Sequence, residues 1–402
     1  MRRIGRTFLS ASAIAGVTLA LAACGSGDSD STASVDTLTV WDAQPYEPFH
    51  SAFVDQLAAC APDGVEVRQE TIPGDQFVTR TLSSSSTGDL PDVVVPEGDQ
   101  IHEFARAGIV AELGRYGIDT DDRSDVVAGM GVVDGELYGV AQNVNTLALF
   151  YNTEMFATAG LEPPSTWPEL VDAAARLTEG RRRGITLAAD ASSSTGGYMF
   201  LPWFLSAGGD PEELDGEPME RTLQLYADLV GSGGASKEIV NLAWDANDSF
   251  LSEDAAMMVS QEFSVEQLDA AGIGYGVVTV PTPTGAGTPR TALGGQVLAV
   301  TATTDERQEL AAELVACLVS HENQVAMAEA TGRTPASTQA REEYAAAHPE
   351  MRAFAGLVDS AYYTPAIGEV WADKRDQISA AVQLVVAAGA SPRDAMDQAI
   401  RE

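Results

Sequence analysis

The stretch TLTVWDAQPYEPFHSAFVDQLAACAPDGVEVRQETIPGDQFVTRTLSSSSTGDLPDVVV, residues 37–95, decides the fold class. Thr37 to Trp41 reads as a short strand and Glu47 to Ala59 as an amphipathic helix. Val65 to Glu70 follows as a strand, Gln76 to Ser84 as a helix, and Asp92 to Val95 as a fully buried apolar strand. This βαβαβ order predicts an α/β protein with a parallel sheet and helices on both faces. Ligands of such sheets settle outside the carboxyl ends of the strands, which singles out the loops beginning at Asp42, Thr71 and Pro96. No glycine-rich dinucleotide fingerprint or phosphate loop opens either helix, which argues against a nucleotide enzyme.

Upstream of this stretch, Arg2, Arg3 and Arg6 precede an uncharged run of apolar and small residues from Thr7 to Ala23, the layout of a secretory signal and too short for a membrane span. It closes on Leu21-Ala22-Ala23-Cys24, which resembles the bacterial lipobox, whose cysteine sulfur receives a diacylglycerol and whose peptide is cut just before the cysteine. Residues 1–23 are therefore expected to be a lipoprotein signal peptide and Cys24 the lipidation site. The export route, general or twin-arginine, stays open. Residues 24–35 are polar and poor in apolar surface, a flexible tether holding the folded part near the outer face of the cell membrane.

The 402 residues carry a formal charge of −36, and removing the signal, which holds three arginines and no acid, deepens it to −39. Such a field repels nucleic acid and anionic ligands at long range and leaves the choice among neutral and cationic ligands open. The length beyond the tether exceeds what one hydrophobic core usually serves, so two lobes are expected. With Cys24 assigned to lipid, Cys60 and Cys317 either form a disulfide in an oxidising compartment or stand as two buried thiols. Downstream, Thr166-Trp167-Pro168-Glu169 carries a helix start, with Thr166 capping, Pro168 in the first turn and Glu169 at the positive end of the dipole. The triplet Arg181-Arg182-Arg183 reads as a solvated turn.

Enzymatic readings find little support. There is no Gly-x-Ser-x-Gly elbow, and His50, His102, His321 and His348 are far apart without ligand-like spacing, so no catalytic residue, metal or cofactor is assigned. A glycosidase needs two carboxylates facing one bond, and among 59 acids the sequence picks out no pair.

The order of segments resembles the carbohydrate-binding group of extracellular solute-binding proteins, the receptors of bacterial ABC importers, over nearly the whole chain beyond the signal. Leu38-Thr39-Val40-Trp41 and Leu90-Pro91-Asp92-Val93-Val94 look like that family's first and third strands, and Asp134-Gly135-Glu136-Leu137-Tyr138-Gly139-Val140 is similar to its entry to the hinge. Leu149-Phe150-Tyr151-Asn152-Thr153-Glu154-Met155-Phe156, Ala159-Gly160-Leu161, Pro164 and Thr166-Trp167 repeat its most recognisable run. Phe250-Leu251-Ser252-Glu253-Asp254-Ala255-Ala256-Met257, Gly294-Gly295 and Thr331-Gly332-Arg333-Thr334-Pro335 follow in the expected order. The resemblance implies a periplasmic-binding-protein-like fold of two α/β lobes, each a mainly parallel sheet flanked by helices. One lobe is expected over 36–141 plus 296–335 and the other over 142–295 plus 336–402, with crossings near Ala141 to Asn145, Gly294 to Val297 and Thr334 to Ala336. It further implies a monomer that captures a mono- or oligosaccharide by lobe closure and hands it to a membrane permease.

A pyranose presents hydroxyls for carboxylates and amides, and C–H faces for aromatic rings. Carried over by position, the polar candidates are Gln44, Glu70, Glu97, Asp99, Asn143, Asn145 and Glu262; the stacking candidates are Trp203, Phe263 and Trp371. Gly294 and Gly295 would let backbone amides approach the ligand. Trp203 sits in the apolar segment Phe200 to Leu205 and reads equally as core, whereas Trp371 stands among Glu369, Asp373, Lys374 and Arg375, where a large indole needs a reason. Two departures from the family pattern bear on the ligand. Gln261-Glu262-Phe263 replaces a Gly-x-Trp, and Pro96 stands where an aromatic is common. The alternative is the same fold with a cationic ligand, a polyamine or a ferric ion held by Tyr362-Tyr363, although adjacent residues on a strand point to opposite faces. A scaffold lipoprotein with no ligand is the third class.

Overall fold

The computed structural model describes residues 35–98, 100–192, 195–364 and 370–401. The signal peptide, Cys24 and most of the tether, like Asp99, lie outside the described residues. The opening stretch folds as β1 (Thr37–Asp42), α1 (Phe49–Ala59), β2 (Glu66–Thr71), α2 (Gly74–Thr87) and β3 (Val93–Val94). β1 pairs in parallel with β2 along its whole length and with β3 at Val40↔Val93 and Trp41↔Val94. α1 lays Phe49, Phe53 and Leu57 on Leu38, Val40 and Val93, while Phe77 of α2 joins Trp41 and Val94 on the opposite face. β2 lies at the edge of the sheet and turns Glu66, Arg68 and Glu70 to solvent, charges that keep an unpaired edge from recruiting another strand.

Further along come a short hairpin of β4 (Val132–Val133) and β5 (Glu136–Leu137), then β6 (Val140–Ala141), β7 (Asn143–Val144) and β8 (Ala148–Asn152). The later strands are β9 (Met257–Ser260), β10 (Tyr275–Val278), β11 (Val297–Val300) and β12 (Thr334–Pro335). β11 returns antiparallel against β3 and β6, so the first sheet runs β2-β1-β3-β11-β6 and is mixed.

The second sheet, β10-β8-β9, is antiparallel throughout, which corrects the expectation of a mainly parallel sheet in each lobe. Parallel pairing there is confined to single bridges such as Thr186↔Met258. The physical reason is that β8 and β9 bury both faces: Leu149, Met257 and Val259 enter one core while Ala148, Phe150 and Met258 enter the other. Such continuous apolar runs read the same in either direction. The helix Trp167–Leu177 beside this sheet begins with a capping box, in which the Thr166 hydroxyl accepts from the Glu169 amide and the Glu169 carboxylate from the Thr166 amide.

Three segments join the sheets and run side by side. β7 pairs antiparallel with β12, Thr334 opposite Val144 and Pro335 opposite Asn143. Asn145 and Gly294 exchange both backbone hydrogen bonds, at 3.0 and 2.9 Å. The end of α1 is tied to the helix Asp305–Leu318 by a disulfide between Cys60 and Cys317, whose Cα atoms are 5.6 Å apart.

Candidate functional site

The loops that leave the carboxyl ends of the first sheet meet the three joining segments, and the polar side chains gather there. Arg333, just before β12, donates from Nη2 to Gln44 Oε1 at 3.0 Å and from Nη1 to Asn143 Oδ1 at 3.5 Å. Its guanidinium lies 3.8 Å from the centroid of the Phe49 ring, a cation–π contact. Arg333 makes no ion pair among the described residues, and burial pulls its pKa below the usual guanidinium range while Glu262 and Glu97 oppose that shift. Glu97, exposed in the loop after β3, bridges backbone to backbone with Gln296 and accepts from Gln296 Nε2 at 3.1 Å.

A second group forms around Asn145. Its Oδ1 accepts from Gln261 Nε2 at 2.7 Å and from the Tyr198 hydroxyl at 3.2 Å. Gly294 is required here by contact rather than by conformation, because a Cβ on it would stand 2.1 Å from Asn145 Oδ1 and 2.9 Å from the Tyr198 hydroxyl. Gly295 beside it has φ +136°, a backbone that side chains rarely adopt. Tyr198 is also half-buried in a small cluster with Trp371, Tyr362, Leu201, Leu205 and Ala292, so the Asn145 group continues into three aromatic rings. The Nδ2 atoms of Asn143 and Asn145 and Nε2 of Gln44 make no hydrogen bond among the described residues.

Four expected residues sit elsewhere or act differently. Trp203 is 0% exposed within the core of the second sheet, so its indole has no face for a ligand. Glu70 pairs with Arg80 at 2.7 Å on the exposed edge strand. Phe263 is half-buried and meets Trp244 edge-on, ring centroids 5.4 Å apart. Glu262 is 1% exposed, its Oε2 accepts from the Thr146 amide at 3.4 Å, and burial pushes its pKa up to about 7, so it lies beneath the site rather than on it. Tyr362 and Tyr363 part company: the first joins the aromatic cluster, the second donates to the Met130 carbonyl at 3.3 Å beneath Gly98.

Tyr198, Gln261, Gln296 and Arg333 are not among the residues expected from sequence, because each is recruited by a partner more than 50 residues away; Gln261 and Arg333 stand in motifs that carry the resemblance, but the motifs do not give them a polar role. Tyr46, two residues from Gln44 in the loop after β1, is an uncovered aromatic, 69% exposed. A groove of 640 Å³ lined by Trp167, Val171, Arg221 and Leu225 shares none of these residues.

The fold agrees with that of relatives. The model of the family described as bacterial extracellular solute-binding protein matches residues 52–353, from α1 into the helix Arg352–Leu357. A galactooligosaccharide-binding protein of Bacillus subtilis (strain 168) is 27% identical over 413 residues, spanning 96% of this chain and 93% of its own. The fold superposes on that of a cyclic alpha-maltosyl-1,6-maltose binding protein from Arthrobacter globiformis with a TM-score of 0.79, at 24% identity, covering 92% of this chain and 98% of that one. The GacH receptor of Streptomyces glaucescens, solved unliganded and with acarbose, gives a TM-score of 0.77 at 27% identity, covering 91% and 96%. Two α/β lobes joined by three crossing segments, matched through the family model from the first helix to the last crossing and beyond, place this chain among the bacterial extracellular solute-binding proteins.

Proposed function

We propose that this protein is the sugar receptor of an ABC importer, binding a neutral mono- or oligosaccharide between its lobes and presenting it to a membrane permease. One observation carries the reading: Asn145, with an unspent amide donor, bonds Tyr198, which shares a cluster with Tyr362 and Trp371, while on the neighbouring crossing Arg333 gathers Gln44 and Asn143, whose amide donors are likewise unspent. Hydroxyl-bearing rims and C–H faces of a pyranose call for that pairing of amides with aromatic faces. Tyr46 supplies an aromatic to the first lobe, offsetting the Pro96 position.

The lobes are assigned to 36–141 plus 296–335 and 142–295 plus 336–402, hinged at the paired crossings. A ligand that touches both lobes only in the closed state shifts the population toward it, and nothing in the cycle makes or breaks a bond. The receptor acts as a monomer on the outer face of the membrane, tethered through a lipid on Cys24. A thermal-shift series against mono- and oligosaccharides, with spermidine and ferric citrate opposed, tests the reading. A ligand at a hundred times its Kd adds about 2.7 kcal/mol of stability. A shift by the cations alone would replace the sugar by a cationic ligand.

A further inference from the structure

Glu262 lies in the second lobe two residues after β9, at the start of the helix Phe263–Ala271, and is buried beside the crossing segments. Its Oε2 takes the Thr146 amide, the residue next to Asn145. Its Oε1 and the Thr334 hydroxyl are both buried, and the hydroxyl and amide of Thr334 stand beside the carboxyl. Thr334 in turn is the neighbour of Arg333 and lies opposite Val144 in the β7–β12 ladder. One side chain thus touches the first and the third crossings, one residue away from two polar groups of the site.

We propose that Glu262 is a positioning residue of the hinge: its carboxyl links the first crossing at Thr146 to the third at Thr334 and so sets where Asn145 and Arg333 stand when the lobes close. The proposal rests on the receptor reading above. The Thr334 hydroxyl accepts from a protonated carboxyl and donates to an ionised one, so either form can hold the link to the third crossing, and it is burial that favours the protonated form. An ionised one leaves a charge in a dry site. The groups that face it are Arg333 from the third crossing, Tyr198 from the helix Thr195–Ser206 and Tyr344 from the helix Thr338–Ala347, while Glu97, after β3, faces the same guanidinium. Closure over a neutral ligand removes more water from the crossings and favours the uncharged carboxyl, so binding takes up a proton where Glu262 is ionised in the open state.

Calorimetric titration with maltotriose and with galactotriose from pH 5.5 to 8.5 tests this, alongside E262Q and E262A. Wild-type Kd should rise roughly fivefold between pH 6 and pH 8, about 1 kcal/mol. E262Q, which keeps the hydrogen bonds and cannot ionise, should hold the low-pH affinity throughout; a merely structural role would leave the pH slope in place. E262A should bind weakly at every pH and, without sugar, exchange the backbone amides of 143–146 and 333–336 faster. A flat wild-type profile, an E262Q that keeps the wild-type slope, or unchanged exchange in E262A overturns the proposal. If neither sugar binds, the receptor reading loses its support while the exchange experiment still decides the role of Glu262.

Discussion

Two indoles show what decides a residue's role here. Trp203 and Trp371 were both candidates for stacking, and the one inside an apolar helix is core while the one among charges is half-buried against Tyr198 and Tyr362. Trp371→Ala should therefore weaken sugar binding by about 1.5 kcal/mol, roughly tenfold in Kd by titration, with little change in melting temperature. Trp203→Ala should instead cost about 3–5 kcal/mol of stability, read by chemical denaturation. Asn145→Ala removes a free donor and the acceptor that holds Gln261 and Tyr198, and a loss of affinity of about 1–3 kcal/mol is expected. For Glu262 the sign follows from its raised pKa. Burial raises the folded carboxyl to about 7 from the ordinary 4.5, so its stabilising contribution is present below the unfolded pKa and lost as pH rises through 7. E262Q should melt higher than wild type at pH 8, by at most about 3 kcal/mol, with the difference vanishing toward pH 4. Melting curves at the two pH values check it.

Among the elements, the sequence was most legible where one pattern sufficed. β1, α1, β2 and α2 follow from periodicity, with the helices displaced by two or three residues at their ends, and Gly88 in the left-handed conformation closes α2 beyond the expected Ser84. The Thr166 cap was legible because its two hydrogen bonds span three residues. Strand direction in the second sheet was not, since strands buried on both faces carry no directional signal. Nor were the crossings' partners, because β7 and β12 are about 190 residues apart and only two residues long, so they were placed by resemblance and paired by tertiary structure alone. The disulfide belongs to this scale. Asn323 donates to the Cys317 carbonyl, Gln56 Nε2 donates to the Asn323 carbonyl, and Gln56 Oε1 accepts from Gln142 between β6 and β7, so the cross-link anchors α1 against the first crossing. Its loop of 257 residues is long, and replacing both cysteines by serine should cost about 2–5 kcal/mol in denaturant unfolding.

At the scale of the whole molecule, the charge of −36 and the binding of a neutral sugar separate two effects. Attraction of a cation to such a surface is screened by salt, whereas hydrogen bonds and stacking to a neutral sugar are not. The sugar Kd should hold within about twofold from low salt to about 0.5 M. What composition conveyed was the class of partner it repels; what it left open was the site, because amides and rings become a binding surface only when distant segments are brought together. The most direct test of the central claim is a thermal-shift titration of the purified protein with galactotriose and maltotriose, repeated with Trp371→Ala and Asn145→Ala. A saturable rise in melting temperature with one of the sugars, lost in both variants, is the result expected; no shift with either sugar, or a full shift that survives both substitutions, contradicts the site described here.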